Sequence, residues 1–149
     1  MAQTYIGSAV RMGSGSLTDS VDGGFAVLAQ TTTVTTAAAG TATSSTVYLP
    51  AGSQIVDIIV DGTVAANAGA GTATAIAVTV GTAAAGTQYM SSTDGIAGGR
   101  LTFAPTAAQT LAMADIGTNQ TVYITVDPNG TISTTQGVFR LTVVYAQKV

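Results

Sequence analysis

The chain has 149 residues, of which 46% are hydrophobic and only 7% charged, with a formal net charge of −3. Cys and His are absent and every acid is Asp, which removes disulfides, thiol chemistry and the usual transition-metal ligands. The four basic residues, Arg11, Arg100, Arg140 and Lys148, are scattered, so the clustered Lys and Arg of a nucleic-acid surface are missing.

The length suits one domain with a real core. An ordinary soluble domain carries about 25% charged residues; here 27 Thr and 26 Ala take the place of that charged coat. Thr is stiff at χ1 and favours strands, so the bias predicts an all-β fold with hydroxyl-covered faces. No apolar run approaches the roughly 20 residues of a membrane-spanning helix. The opening MAQTYIGSAVRMGSG lacks the basic start and apolar core of a secretory signal. No membrane and no nucleic-acid partner is expected.

Residues 1–24 read as an N-terminal arm, rich in Gly and Ser, with Tyr5, Ile6, Val10 and Leu17 as its apolar anchors. Residues 25–149 read as a single β-sandwich domain. Phe25 to Thr36 is the first long strand, ended by Ala37-Ala38-Ala39-Gly40. Thr46 to Leu49 is a short strand running into the turn at Pro50 and Gly52. The densest β-branched run comes next, bounded behind by Asp61-Gly62, and gives the central strand. Strict alternation from Gln54 to Asp61 puts Val56, Ile58 and Val60 on a core face. The same rule puts Ile55 and Ile59, between Asp57 and Asp61, on the opposite face, where either the strand is buried on both sides at one end or the two residues lie under another subunit.

Ala65 to Gly71 is a small-residue loop. Ala73 to Val80 is a strand with Ile76, Val78 and Val80 on its apolar face. Gln88 to Met90 and Arg100 to Phe103 are short strands around the Asp94-Gly95 and Gly98-Gly99 turns. Thr106 to Ala114 fits a helix or an edge strand, with the flanking Pro105 and Gly117 tilting the reading to strand. Gln120 to Val126 alternates, with Val122, Ile124 and Val126 inward. Asp127-Pro128-Asn129-Gly130 is the strongest turn signal. The last strand, Val138 to Ala146, turns Phe139, Leu141, Val143 and Tyr145 to one side. The string TAAAGT at 36–41 and 82–87 extends no further and reads as recurring loop composition.

These elements give about eight strands and a two-sheet antiparallel sandwich, jelly-roll-like, with an immunoglobulin-like sandwich as the alternative. No catalytic constellation stands out, and no cofactor or metal is expected. Asp57 and Asp61, four residues apart on one strand, would lie about 13 Å apart, too far for paired-carboxylate hydrolysis of glycosides. Ser and Thr lack a His partner. Asp94, Asp115 and Asp127 could meet calcium with loop carbonyls, but without EF-hand spacing.

One resemblance is informative. The order LPAGSQIVDIIVDGT, VGTAAAGTQYM, a Gly-Arg strand, TVYITV and FRLTVVY resembles the head-decoration, or capsid cement, proteins of tailed phages. The matching pieces are Leu49–Ile58, Val80–Thr82, Gln88–Met90 and Leu141–Tyr145, within residues 46–146. The resemblance implies a jelly-roll-like, non-enzymatic virion subunit, a homotrimer bound to the major capsid protein on the outside of the head and made in the bacterial host cytoplasm. The weakly charged surface fits an assembly that buries faces, and the net negative charge suits the outside of a head better than its DNA-facing inside. A head-fibre or tail component, or a surface adhesin stacking sugars on Tyr48, Tyr89 or Tyr123, is the alternative. The interface residues expected are Tyr5, Ile6, Val10 and Leu17 of the arm, with Ile55 and Ile59.

Overall fold

The computed structural model describes residues 25–148; the arm, with Tyr5, Ile6, Val10 and Leu17, lies outside them. Eight strands and one helix run in order among the described residues: β1 (Phe25–Thr35), β2 (Thr43–Leu49), β3 (Ser53–Val64), β4 (Ile76–Gly81), β5 (Met90–Asp94), β6 (Gly99–Leu101), α1 (Ala107–Ala114), β7 (Gln120–Pro128) and β8 (Val138–Lys148). They form two four-stranded antiparallel sheets, ordered β1-β8-β3-β6 and β2-β7-β4-β5. The fold is thus an all-β sandwich, as composition and turn spacing predict.

The pairings are nested. β1 pairs with β8, β2 with β7, β3 with β6 and β4 with β5. Two further ladders, β3–β8 and β4–β7, complete the sheets. The core lies between them. Val122, Ile124 and Val126 of β7, Ile76, Val78 and Val80 of β4, and Phe139, Leu141 and Val143 of β8 are all fully buried. In each of these strands the residues that alternation turned inward are the ones that pack.

In β3 strict alternation fails. Ile55 pairs with Tyr145 and Asp57 with Val144, so Val56 is an extra residue in a β-bulge. A bulge puts two residues opposite one and shifts the parity of every later position in the strand. Ser53 and Ile55 point inward before it, and Ile58 and Val60 point inward after it, all buried. Two expectations are corrected: Ile55 is core (4% exposed) and Val56 is on the surface (58% exposed). Ile59 keeps its outward side but is half-buried.

The segment after β6 is the second correction. Ala107–Ala114 is helical, not an edge strand. Thr106 caps it: the Gln109 backbone N–H donates to Thr106 Oγ1, and the Thr106 N–H donates to Gln109 Oε1. This reciprocal capping box satisfies two otherwise orphaned donors. Buried Gln109 then donates from Nε2 to the Thr87 carbonyl (2.9 Å) and to Ser91 Oγ (3.0 Å), fixing the helix to the start of β5. Beyond the helix, Ile116 exchanges two backbone hydrogen bonds with Gly52 and Ser53, so α1 runs beside β3 between the β6 pairing and this bridge.

One end of the sandwich is closed by loops. Asn67 and Thr135 exchange backbone bonds, Ala73 donates to the Thr131 carbonyl, and Ile132, fully buried, donates to the Ala38 carbonyl. Asn129 Oδ1 accepts from the Thr74 and Ala75 amides. The Asn129 N–H also donates to the Ala75 carbonyl, and β4 begins at Ile76 and not at Ala73. Pro128 is still paired, with Ile76, so the Asp127–Gly130 signal ends a strand and enters a long loop instead of making a hairpin. Gly71 is needed here because an added Cβ would collide with the Thr131 carbonyl.

Truncating Ile58, Ile124 or Leu141 to Ala is expected to cost about 2–5 kcal/mol, and Ile55→Ala should fall in the same class. Val56→Ser is expected to change stability by less than about 0.5 kcal/mol, as at other surface positions. Urea denaturation of the set checks both; a Val56→Ser cost equal to that of Ile58→Ala would contradict the bulge. Gln109→Ala should cost about 1–3 kcal/mol by leaving its partners unsatisfied.

Candidate assembly surface

Three charged groups of the domain hold strands together. Asp61 sits opposite Arg100 of β6 and Arg140 of β8 in the same rows of the ladders. Arg100 Nε donates to Asp61 Oδ1 (2.5 Å), and Arg140 Nη2 donates to Asp61 Oδ2 (3.1 Å). The hydrogen bond from Arg100, and then that from Arg140, hold the Asp61 carboxyl below its ordinary value of 3.8. The same bond pushes the Arg100 guanidinium up. Both cations are at least half exposed while the carboxylate is 15% exposed, so solvent screens the attraction. Its work is positional: it staples the three-residue β6 to β3 and β8.

No group of three or more acids that could hold a metal ion occurs among the described residues. Asp94 is engaged locally, with Oδ1 accepting from the Ile76 and Ile96 amides. Asp57 accepts from the adjacent Ile58 amide.

The feature that stands apart is β1. It is the outer strand of its sheet, paired with β8 on one side. It runs for 11 residues without a charge, a Pro or a register shift. Its pairing with β8 sets Leu28, Gln30, Thr32 and Val34 opposite the inward residues Tyr145, Val143, Leu141 and Phe139. The polar residues among these bind both within their own sheet and across to the other. Gln30 Oε1 accepts from the Tyr48 amide (3.1 Å), Gln30 Nε2 donates to the Tyr145 hydroxyl (3.2 Å), and Thr32 Oγ1 lies 2.6 Å from Ser45 Oγ. The Tyr48 and Ser45 bonds clip β2 to β1 through side chains, and the Tyr145 bond ties β1 to β8. The outer backbone edge of β1 receives no strand among the described residues. Near its start Val27 is 67% and Leu28 38% exposed, and Tyr48, on the clipped strand, is 67% exposed.

The surface carries two shallow hollows, one beside Tyr48 and one at the opposite edge of the sheet. One, about 350 Å³, is lined by Tyr48, Leu49, Pro50, Asn119, Gln120 and Thr121. The other, about 270 Å³, lies beside α1 and is lined by Val56, Ile59, Arg100, Phe103, Pro105 and Met113 among others.

The expected interface residues are therefore not brought together. Ile55 is inside. Ile59 lines the α1 hollow. The four arm residues lie outside the described region. Of the tyrosines considered for sugar stacking, Tyr89 is buried, which raises its hydroxyl pKa, Tyr123 is half-buried, and Tyr48 is open. Val27 and Leu28 are not among the expected interface residues; the signal in the sequence is the polar run Gln30–Thr33 immediately after them. Comparison with family models, with curated proteins and with solved structures finds no match for the chain.

Two outcomes are expected. Asp61→Asn should remove an acid-dependent share of stability: a lowered carboxyl pKa stabilises above 3.8 and ceases to do so as pH falls through the folded-state value. Melting temperatures of the two proteins should therefore differ near neutral pH and converge toward acid. Val27→Lys, placing a charge on the open edge, should reduce self-association in light scattering and leave the melting temperature nearly unchanged.

Proposed function

We propose that the chain is a virion structural subunit, a decoration protein that seats on the outer surface of a tailed-phage head, contacts the major capsid protein there as a homotrimer, and stabilises the shell. On this reading the sandwich is a jelly roll. Its support is the nested pairing of first strand with eighth, second with seventh, third with sixth and fourth with fifth, an architecture that recurs in viral capsid and lectin domains. That is an analogy of fold, which by itself fixes no function.

The observation that carries the reading is the long uncharged edge of β1 with Val27, Leu28 and Tyr48 exposed beside it. Soluble proteins blunt such edges with charge, Pro or bulges. A subunit that works inside an assembly has its edge covered there. A surface with few charges also costs little to desolvate, so burying it against neighbours meets little electrostatic penalty. Repetition around a shell then adds avidity to individually weak contacts.

A second reading has one specific observation behind it. Exposed Tyr48 flanks a hollow with Asn119, Gln120 and Thr121, the combination of an aromatic face and side-chain amides that suits a sugar. A head-fibre or adhesin role with carbohydrate binding is the function this would serve. The experiment that tests the first reading adds purified protein to heads lacking it and tracks their disruption on heating. Bound protein and a raised disruption temperature are expected. Absence of binding, together with glycan-array binding abolished by Tyr48→Ala, would overturn it in favour of the second.

A further inference from the structure

The open edge of β1 can be matched to an occupant from the chain itself. We infer that residues Gln3–Val10 of one copy add as a strand to the β1 edge of a neighbouring copy, so that subunits exchange their N-terminal segments. The inference does not use the head-binding reading.

The edge calls for a strand and not for a loop or helix. Along the outer side of β1, every second residue turns its N–H and C=O away from β8, and only another extended backbone satisfies such a row in register. Gln3–Val10, QTYIGSAV, holds Thr4, Tyr5, Ile6 and Val10, the densest strand formers of residues 1–24; from Arg11 to Gly24 the sequence is RMGSGSLTDSVDGG, rich in Gly and Asp, which are depleted in strands. Alternation puts Ile6 and Val10 on one side of such a strand and Tyr5 on the other. The β1 edge offers apolar surface on both sides near its start: Leu28 stands opposite the inward-facing Tyr145, and Val27 faces the other way. Tyr48 lies close by, since its amide is bound by Gln30. Neither β1 nor Gln3–Val10 carries a charge, so no pairing register meets like-charge repulsion.

The length of the connection argues for a neighbour. Fourteen residues, Arg11–Gly24, separate the two segments. A strand folding back on β1 within one chain is most often joined by a loop of about 2–5 residues. A Gly/Ser-rich linker of this length has a typical span of roughly 20 Å, from about 5–6 Å times the square root of its length. That is about four strand spacings, enough to leave one sandwich and reach the edge of another. Phe25, where the linker ends, is itself the first residue of β1, so each copy sends its arm out from the end of the strand on which it receives a partner's arm.

The test uses the full chain with Ile6→Pro. Proline removes the amide hydrogen and cannot donate within a ladder, and position 6 lies well before the sandwich. Sedimentation velocity and hydrogen exchange are run over a concentration series, with thermal melting as a control for folding. The unaltered chain is expected to associate, with the β1 amides exchanging more slowly as association proceeds. Ile6→Pro is expected to lose both the association and the concentration-dependent protection while melting as before. Protection of β1 that is independent of concentration would mean that the arm folds onto its own chain. Association undiminished by Ile6→Pro would mean that the copies meet elsewhere. Either result overturns the inference, as does an unaltered chain that stays monomeric with fast-exchanging β1 amides. Failure to bind heads does not bear on arm exchange, and of the failures named here only a chain that stays monomeric bears on the proposed function, where it counts against the homotrimer.

Discussion

The β3–β8 ladder depends on a single residue without a partner. β3 must fill the core at both ends, with Ile55 against Tyr145 and Ile58 against Val143. Those two positions are three apart, which an uninterrupted strand cannot turn to the same side. Val56 resolves the conflict by bulging. Below it the inward set is Ser53 and Ile55; above it, Ile58 and Val60. Asp61 then faces outward beside Arg100 and Arg140, and Val56 itself stands at the foot of α1, near Pro105 and Met113. Without the bulge, one half of the strand would present Asp57 and Asp61 to the core, where an unpaired carboxylate is strongly disfavoured.

This shows why part of the fold is legible in the sequence and part is not. β4, β7 and β8 pair without inward bulges, so alternation alone finds Ile76, Val122, Ile124, Leu141 and their neighbours. The bulge has no local signature: QIVDIIVD contains no Gly or Pro at the shift. Its only trace is two Ile residues, Ile55 and Ile59, stranded on the acidic face by a strict count. The position of α1 was open to a better reading. Thr106 and Gln109 are three apart, the spacing of a capping box, and Ala, Leu and Met in the run are good helix formers. Pro105 sits where a helix is about to start, a place a Pro shares with a strand boundary. The polar inner face of β1 was not legible at all, because Gln30 and Thr32 find their partners, Tyr48 and Ser45, only once the two sheets are stacked.

Small residues set how closely the loops can pack. At the end of the sandwich the segments around Asn67, Thr131 and Asn129 are joined by backbone and side-chain bonds. Gly71 and Gly130 lie against backbone or Thr side chains with no room for a Cβ. Over the other sheet, Ala85 takes a positive φ of 59°, uncommon for a residue with a Cβ, and its amide donates to Thr125 Oγ1 at 2.8 Å. The loop after β4 is thereby drawn onto the outward side of β7, burying Thr125. The high Ala, Gly and Thr content thus serves close packing in two places, and the hydroxyls supply hydrogen bonds that charged side chains supply in an ordinary domain.

The four outer strands are treated in different ways, and the difference bears on function. β6 is three residues long and is stapled by Arg100 to Asp61. β5 is anchored to α1 through Gln109 and Ser91. β2 has its Tyr48 amide taken by Gln30. Each of these devices shortens, covers or satisfies an edge, as soluble β proteins require. β1 is protected only toward its far end, where Thr43 Oγ1 donates to the Thr35 carbonyl: it is among the longest strands, continuous in register, uncharged, and apolar where its edge begins. Three protected edges argue that the sequence is able to protect an edge, with Asp, Arg and Gln all in use for that purpose. A largely unprotected fourth is then better explained by a strand that arrives from outside the domain than by a failure of protection. The edge's position supports this, because β1 is also where the N-terminal segment leaves the sandwich. A chain that supplies both an open edge and an uncharged, strand-forming segment on a long linker carries both halves of a contact between copies, and that contact needs neither a charged patch nor a catalytic group to be specific.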